Sequence, residues 1–297
     1  MTDEICSWLS YQNKEFVRLN ESQHITKVFL DFKESIFKIS INNTEYNLND
    51  FKSVFYRNGG IYYDLPKQEI ENSLLEFYNS EYKSITEFIC HYLKINGANI
   101  FGNLFTKEVN KLEVLFLAKS LGLKIPDTYI LSQLKDFAKI DSVQKYITKA
   151  VSEMKPVFVE NALYLNYTHE IDINNLQSKK ENIIPSLIQE KIHNIYELRV
   201  FFFEKKIWAV ATFDFSDSVD IRNIKDSDKK YLPCKLPIEI QRKILKMAKI
   251  LDLKCGTIDL IKSNDDFYFL EVNPLGQFHQ VNYYGNYQIE KYIADLL

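Results

Sequence analysis

The stretch that most constrains the fold lies near the C-terminus, where 256–261 (GTIDLI) and 267–274 (FYFLEVNP) form two β-prone runs joined by the turn-forming SNDD. Such a pair reads as an antiparallel hairpin, and side chains two apart on a strand point to one face. Glu271 and Asn273 therefore share a face, and Asp259 on the partner strand can meet them across the ladder. Two carboxylates and an amide oxygen converging on an otherwise apolar hairpin repel one another unless a cation sits between them. Hard oxygen ligands of this kind suit Mg²⁺ bridging nucleotide phosphates. The bland alternative is a set of ordinary polar residues at strand ends.

Composition sets the frame. A chain of 297 residues is long enough for two or three lobes. Hydrophobic residues at 46% and charged residues at 26% are ordinary for a soluble globular protein, and 19 Tyr with 21 Phe carry much of the core. A net charge of -3 lacks the basic excess that drives nucleic-acid binding, so no nucleic-acid partner is expected. Cys6, Cys90, Cys234 and Cys255 are scattered without a CxxC pair, which argues against a zinc or redox site and for a reducing compartment. The N-terminus shows no signal pattern, and no apolar run approaches the ~20 residues that span a bilayer. The expected location is the cytoplasm, with no membrane partner. The sequence leaves the oligomeric state open, a homodimer included.

Three lobes are expected: 1–105, 106–190 and 191–297. In the first, ITKVFLDF, IFKISIN and SVFYR read as strands around a turn-like NNTEYNLND, followed by a helix over 70–94. A helix over about 108–121 stops at Gly122. Strand candidates KYITKAV, FVENALYLNY and PSLIQEKI make the second lobe. The third opens with ELRVFFFEKKIWAVATFDF, a hairpin turning at EKK, followed by an amphipathic helix behind Pro237, the hairpin described above, and a last helix NYQIEKYIADLL.

A lysine at a strand end, QEKI, an ELR strand, IDLI and FLEVNP, in that order, resemble the ATP-grasp superfamily. Within it, NKLEVLFLAKSLGLKIPDTYIL, VDIRN, LPIEIQRKI and EVNPLGQF with the NYQIEK helix are similar to the graspetide maturases, the grasp-with-spasm branch related to microviridin ligases. The likeness runs from about Ser53 onward. It implies an α/β (α+β) ATP-grasp fold with the nucleotide between the central and C-terminal lobes, and ATP and Mg²⁺ as cofactors.

The resemblance also implies roles. Lys111 and Lys149 match lysines that hold nucleotide phosphates, and Asp259, Glu271 and Asn273 match the metal ligands. Gln189, Glu190, Lys191 and Ile192 match the interlobe hinge whose backbone reads the adenine edge, and Glu197 matches a carboxylate on the ribose. Arg222 in VDIRN falls where relatives keep an arginine near the acyl phosphate. Arg199, two residues past Glu197, shares its strand face and is a second candidate for phosphoryl or carboxylate binding, with a structural ion pair as the alternative for both arginines. Arg57 resembles the Tyr-Arg of relatives, but Asn58 departs from their second arginine. Gly285 replaces a frequent cysteine, DFSDS replaces a Ser-Gln, and 149–187 lacks the usual glycine-rich loop, so Thr168 in LNYTHEI is a candidate cover for the phosphates.

The implied activity is ATP-dependent activation of Asp or Glu side chains of a ribosomally made precursor peptide, followed by ring closure with Ser, Thr or Lys. Two alternatives stand beside it: a ligase adding an amino acid to a peptide or small carboxylate, and a non-catalytic peptide- or nucleotide-binding ATP-grasp fold.

Overall fold

The structure, a computed structural model, describes residues 2–57, 61–64, 71–102, 109–141, 143–152, 157–159, 162–164, 168–173, 176, 182–214, 229–264 and 266–297. They divide into two compact units, Met1–Leu104 with Gln288–Leu297, and Phe105–Tyr287.

The first unit begins with a helix that the sequence reading missed, α1 (Thr2–Tyr11), which buries Ile5 and Leu9, four residues apart on one side. An antiparallel sheet follows: β1 (Ile25–Asp31), β2 (Ile36–Ile41) and β3 (Thr44–Asn47). Of the stretch expected to turn at 42–50, only Asn42 and Asn43 form the connection. Both have positive φ, 47° and 69°, as a two-residue hairpin loop requires. The next residues form a strand because Tyr46 packs against the core of Ile25, Phe37, Ile39 and Leu48. β4 (Ser53–Phe55) and β5 (Asn99–Phe101) pair in parallel across the helix α2 (Asn72–Ile95). The C-terminal helix Ile289–Leu296 belongs to this unit: Lys14 Nζ donates to Ala294 O at 2.7 Å, and Gln12 Nε2 donates to Asp295 Oδ1 at 2.6 Å.

In the second unit α3 (Lys111–Ser120) starts at Asn110, whose side-chain oxygen accepts from the N–H of Leu112 and Glu113. It ends ahead of Gly122 at φ +76°, a conformation that glycine adopts without strain. An antiparallel sheet in the order β10-β7-β11-β6 contains β6 (Thr128–Gln133), β7 (Tyr146–Lys149), β10 (His169–Ile171) and β11 (Asn182–Glu190); β8 (Val157–Val159) and β9 (Ala162–Tyr164) pair separately.

The second sheet of this unit runs β14-β13-β12-β15-β16, with β12 (Tyr196–Phe203), β13 (Lys206–Asp214), β14 (Lys229–Cys234), β15 (Cys255–Lys262) and β16 (Phe267–Asn273). β14 was not foreseen. It is an edge strand, where Pro233 removes no ladder bond that the sheet needs. The helix α4 (Ile238–Ile250) and α3 pack Ile244, Met247, Val114, Leu115 and Ala118 onto one face of this sheet, against Leu198, Val200, Phe202, Ile258 and Leu260. Alternation then turns Arg199 and Asp259 to the other face. There Phe201 meets Trp208 and Phe278, next to the short helix α5 (His279–Gly285).

Candidate active site

Register places the charged residues. Arg199 on β12 is opposite Asp259 on β15, Asp259 is opposite Glu271 on β16, and Thr257 is opposite Asn273. The ladder between β15 and β16 shifts at Asp259/Leu260, where the partner moves from Glu271 to Phe269 and leaves Leu270 as a bulge residue. In a regular strand Phe269 and Glu271 would share a face. The bulge separates them, so Phe269 enters the helix-side core while Glu271 stays opposite Asp259.

The side chains follow this register. Arg199 Nη1 donates to both oxygens of Asp259, at 2.7 and 2.6 Å. Lys111, at the start of α3, donates to Ser152 O at 3.1 Å and holds its Nζ 3.9 Å from Glu271 Oε2. Burial pushes the Asp259 carboxyl above the usual carboxylate range, and Glu271 adds to this, while the Arg199 guanidinium and the Lys149 ammonium pull the other way. Asp259 is walled by protein yet keeps 27% of its side-chain surface open. A negative site at this position is stabilised by cations from three directions: Arg199 on the same sheet, Lys111 on α3, and Lys149 at the end of β7.

Asp259, Glu271 and Asn273 are thus neighbours on one face, as paired strands dictate. Asn273 Oδ1 accepts from the Leu275 N–H at 2.9 Å, which fixes the amide and leaves one lone pair for a cation. Among the described residues no three His, Cys, Asp or Glu side chains form a metal cage. Two carboxylates and an amide oxygen nevertheless fit Mg²⁺, which takes few protein ligands and completes its shell with water and phosphate oxygens. A metal on Asp259 has to share that carboxylate with Arg199.

The hinge stretch is more engaged than its sequence suggests. The Glu190 N–H donates to Asp127 O and the Lys191 N–H to Lys145 O, both at 2.8 Å, so these two donors are already used. Glu190 Oε2 accepts from the Asp127 N–H at 3.4 Å, and Lys191 Nζ donates to Glu170 Oε2 at 2.6 Å. Ile192 is buried, Gln189 is fully buried, and Glu197 Oε1 accepts from Asn194 Nδ2 at 3.4 Å. Arg222 and most of DFSDS lie outside the described residues, as does Asn58, whereas Arg57 follows β4 in the first unit. Sequence reasoning missed Ser152, whose carbonyl holds Lys111, and two hydroxyls, Thr128 and Thr257. Thr257 was within reach of it, since it precedes Asp259 by two and so shares its face.

No protein-family model matches the chain, and no curated protein does. Solved structures do. The macrocyclase MdnC of Microcystis aeruginosa MRC, solved with its precursor peptide MdnA, is 22% identical over 100% of this chain and 94% of its own, with a TM-score of 0.73. A RiPP-associated ATP-grasp ligase of Chryseobacterium gregarium, in complex with ADP and a leader and core peptide, is 21% identical over 99% and 92%, with a TM-score of 0.77. The ATP-grasp ligase PsnB, complexed with a minimal precursor, Mg and ADP, is 15% identical over 99% and 92%, with a TM-score of 0.68. At these identities the likeness is one of fold: the chain has the ATP-grasp fold along its whole length.

Proposed function

We propose that the chain is an ATP- and Mg²⁺-dependent ligase that activates Asp or Glu side chains of a ribosomally made precursor peptide as acyl phosphates. It then closes ester or amide rings with Ser, Thr or Lys side chains of the same peptide. The observation that carries this reading is the meeting of Arg199, Asp259 and Glu271 on three adjacent strands, with Lys111 and Lys149 brought to them from other elements. Support for the peptide substrate comes from MdnC, PsnB and the Chryseobacterium ligase, whose structures contain precursor peptides.

The chemical difficulty is an anionic carboxylate approaching a polyanionic triphosphate, so catalysis rests on positioning and charge rather than on a covalent protein nucleophile. Lys111 and Lys149 hold phosphate oxygens. Mg²⁺, bound to Asp259, Glu271 and Asn273, supplies further neutralisation of the phosphates. Arg199 orients Asp259 and shares its charge with the phosphoryl group, and Arg222 is the second arginine assigned to the acceptor carboxylate. The nucleotide lies between lobes 106–190 and 191–297, the latter without its C-terminal helix, which belongs with 1–105 as the third lobe; Gln189, Glu190, Lys191 and Ile192 meet the base and Glu197 the ribose. Among the described residues no helix is long and apolar enough to cross a membrane, and the cytoplasm is the proposed location.

Co-expression with a candidate precursor followed by mass spectrometry tests the reading. ATP-dependent loss of one water per ring is the expected result. A gain of one amino-acid residue points instead to the amino-acid ligase.

A further inference from the structure

Thr257 on β15 is 1% exposed, and its Oγ1 is buried without a hydrogen-bond partner. A hydroxyl that has lost water and gained no partner destabilises the protein that holds it. The register names its neighbours. On β12 it is opposite Phe201, whose ring packs against Trp208 and Phe278 and has no polar atom to offer. On β16 it is opposite Asn273. Directly opposed residues carry their side chains on one face with Cβ atoms roughly 5 Å apart, which is within reach of a hydrogen bond between a hydroxyl and an amide.

Asn273 has the group that Thr257 lacks. Its main chain is fixed by the ladder and by the Gly276 N–H, which donates to Asn273 O at 3.2 Å. Oδ1 accepts from the Leu275 N–H at 2.9 Å, and among the described residues this is the amide's one hydrogen bond. The Nδ2 donors are unspent, and the amide is held at its oxygen end alone. A buried acceptor and an unspent donor thus oppose each other on adjacent strands, and a swing of the amide about its oxygen end joins them. No ligand has to enter the interior for this bond to form.

On the reading of Asp259, Glu271 and Asn273 as Mg²⁺ ligands, we infer that Thr257 is a positioning residue for Asn273. In the loaded protein Thr257 Oγ1 accepts from Asn273 Nδ2, which holds the amide with Oδ1 towards the two carboxylates. Nδ2 becomes a stronger donor when Oδ1 is polarised by a cation, so the two contacts reinforce each other. Thr257 therefore destabilises the empty protein and stabilises the loaded one.

Calorimetry of ADP binding to the full chain at stepped Mg²⁺ concentrations gives the apparent Mg²⁺ affinity and tests this. Thr257→Val should weaken that affinity about tenfold, the usual effect of losing a partner of a metal ligand. Its binding of ADP without Mg²⁺ should match the wild type, and the ligand-free variant should melt about 2 °C higher. Thr257→Ser, which keeps the hydroxyl, should restore the wild-type Mg²⁺ affinity. Asn273→Asp retains an oxygen ligand but removes Nδ2, so in that background Thr257→Val should cost no further affinity. A Thr257→Val protein that binds Mg²⁺ like the wild type overturns the inference. So does one whose ADP binding is weakened equally with and without Mg²⁺, since a merely structural role does that. Wild-type ADP binding that does not respond to Mg²⁺ overturns the metal reading, and the inference with it.

Discussion

Arg199 and Asp259 face each other on adjacent strands, and a single guanidinium nitrogen donates to both carboxylate oxygens, at 2.7 and 2.6 Å. The pair is the centre of the charged face, because Glu271 flanks Asp259 on the next strand. Removing the guanidinium leaves a crowded carboxylate with one fewer cation. Arg199→Ala should therefore lower stability by about 1–3 kcal/mol, seen in chemical denaturation. It should also stop peptide-dependent ADP release while nucleotide binding persists, since a group acting mainly in the transition state lowers turnover more than affinity. A variant with wild-type turnover removes Arg199 from the mechanism.

Lys111 and Lys149 approach the carboxylates from α3 and β7. If they hold phosphates, Lys111→Ala and Lys149→Ala should each weaken Mg²⁺·ADP binding about tenfold, the cost of one charge-assisted hydrogen bond. Calorimetry reads the loss, and unchanged affinity in both variants contradicts the pocket.

Thr257 presents the opposite case, a group whose removal should help the empty protein. Its hydroxyl is buried, lacks a hydrogen-bond partner, and sits across from Asn273. Thr257→Val keeps the shape and deletes the unpaired group, so it should stabilise the nucleotide-free protein by about 1 kcal/mol. Thr257→Ser should not. The melting temperatures of the two variants decide this.

Much of the fold was legible where one pattern dominated. The hairpin of β15 and β16, the hairpin of β12 and β13, and α2 and α4 follow from period and turn residues. α1 was not legible because a segment of ten residues with two buried positions, Ile5 and Leu9, gives little periodic signal. β14 was missed because an edge strand containing Pro233 looks like a loop. At the site, alternation correctly put Asp259, Glu271 and Asn273 together. It could not show the bulge at Leu270, which depends on Phe269 reaching the core, nor that Arg199 is spent on Asp259, which depends on the register of β12 against β15. The hydrogen bond that Gln189 Nε2 donates to Thr128 Oγ1 joins residues 61 apart in the chain and leaves no local trace.

Cys90 supplies a pH dependence. Burial pushes its thiol from 9.0 up to about 11. Between these values the unfolded chain has lost the proton that the folded chain still holds, so this contribution is fully present below pH 9 and is lost as pH rises towards 11. Within that window the stability of the wild type should fall by up to about 1.4 kcal/mol per pH unit more steeply than that of Cys90→Ala. Parallel curves for the two proteins contradict the burial of the thiol.

The central claim is that a peptide carboxylate attacks the γ-phosphorus of ATP with loss of ADP, and that an alcohol or amine then attacks the acyl carbon of this acyl phosphate and displaces inorganic phosphate. Labelling the precursor's Asp and Glu carboxylates with heavy oxygen and weighing the inorganic phosphate released during ring closure tests this most directly. The acyl phosphate predicts one labelled oxygen in the phosphate for each ring formed, and no labelled phosphate from Glu271→Gln. Ring formation that releases only unlabelled phosphate would contradict it.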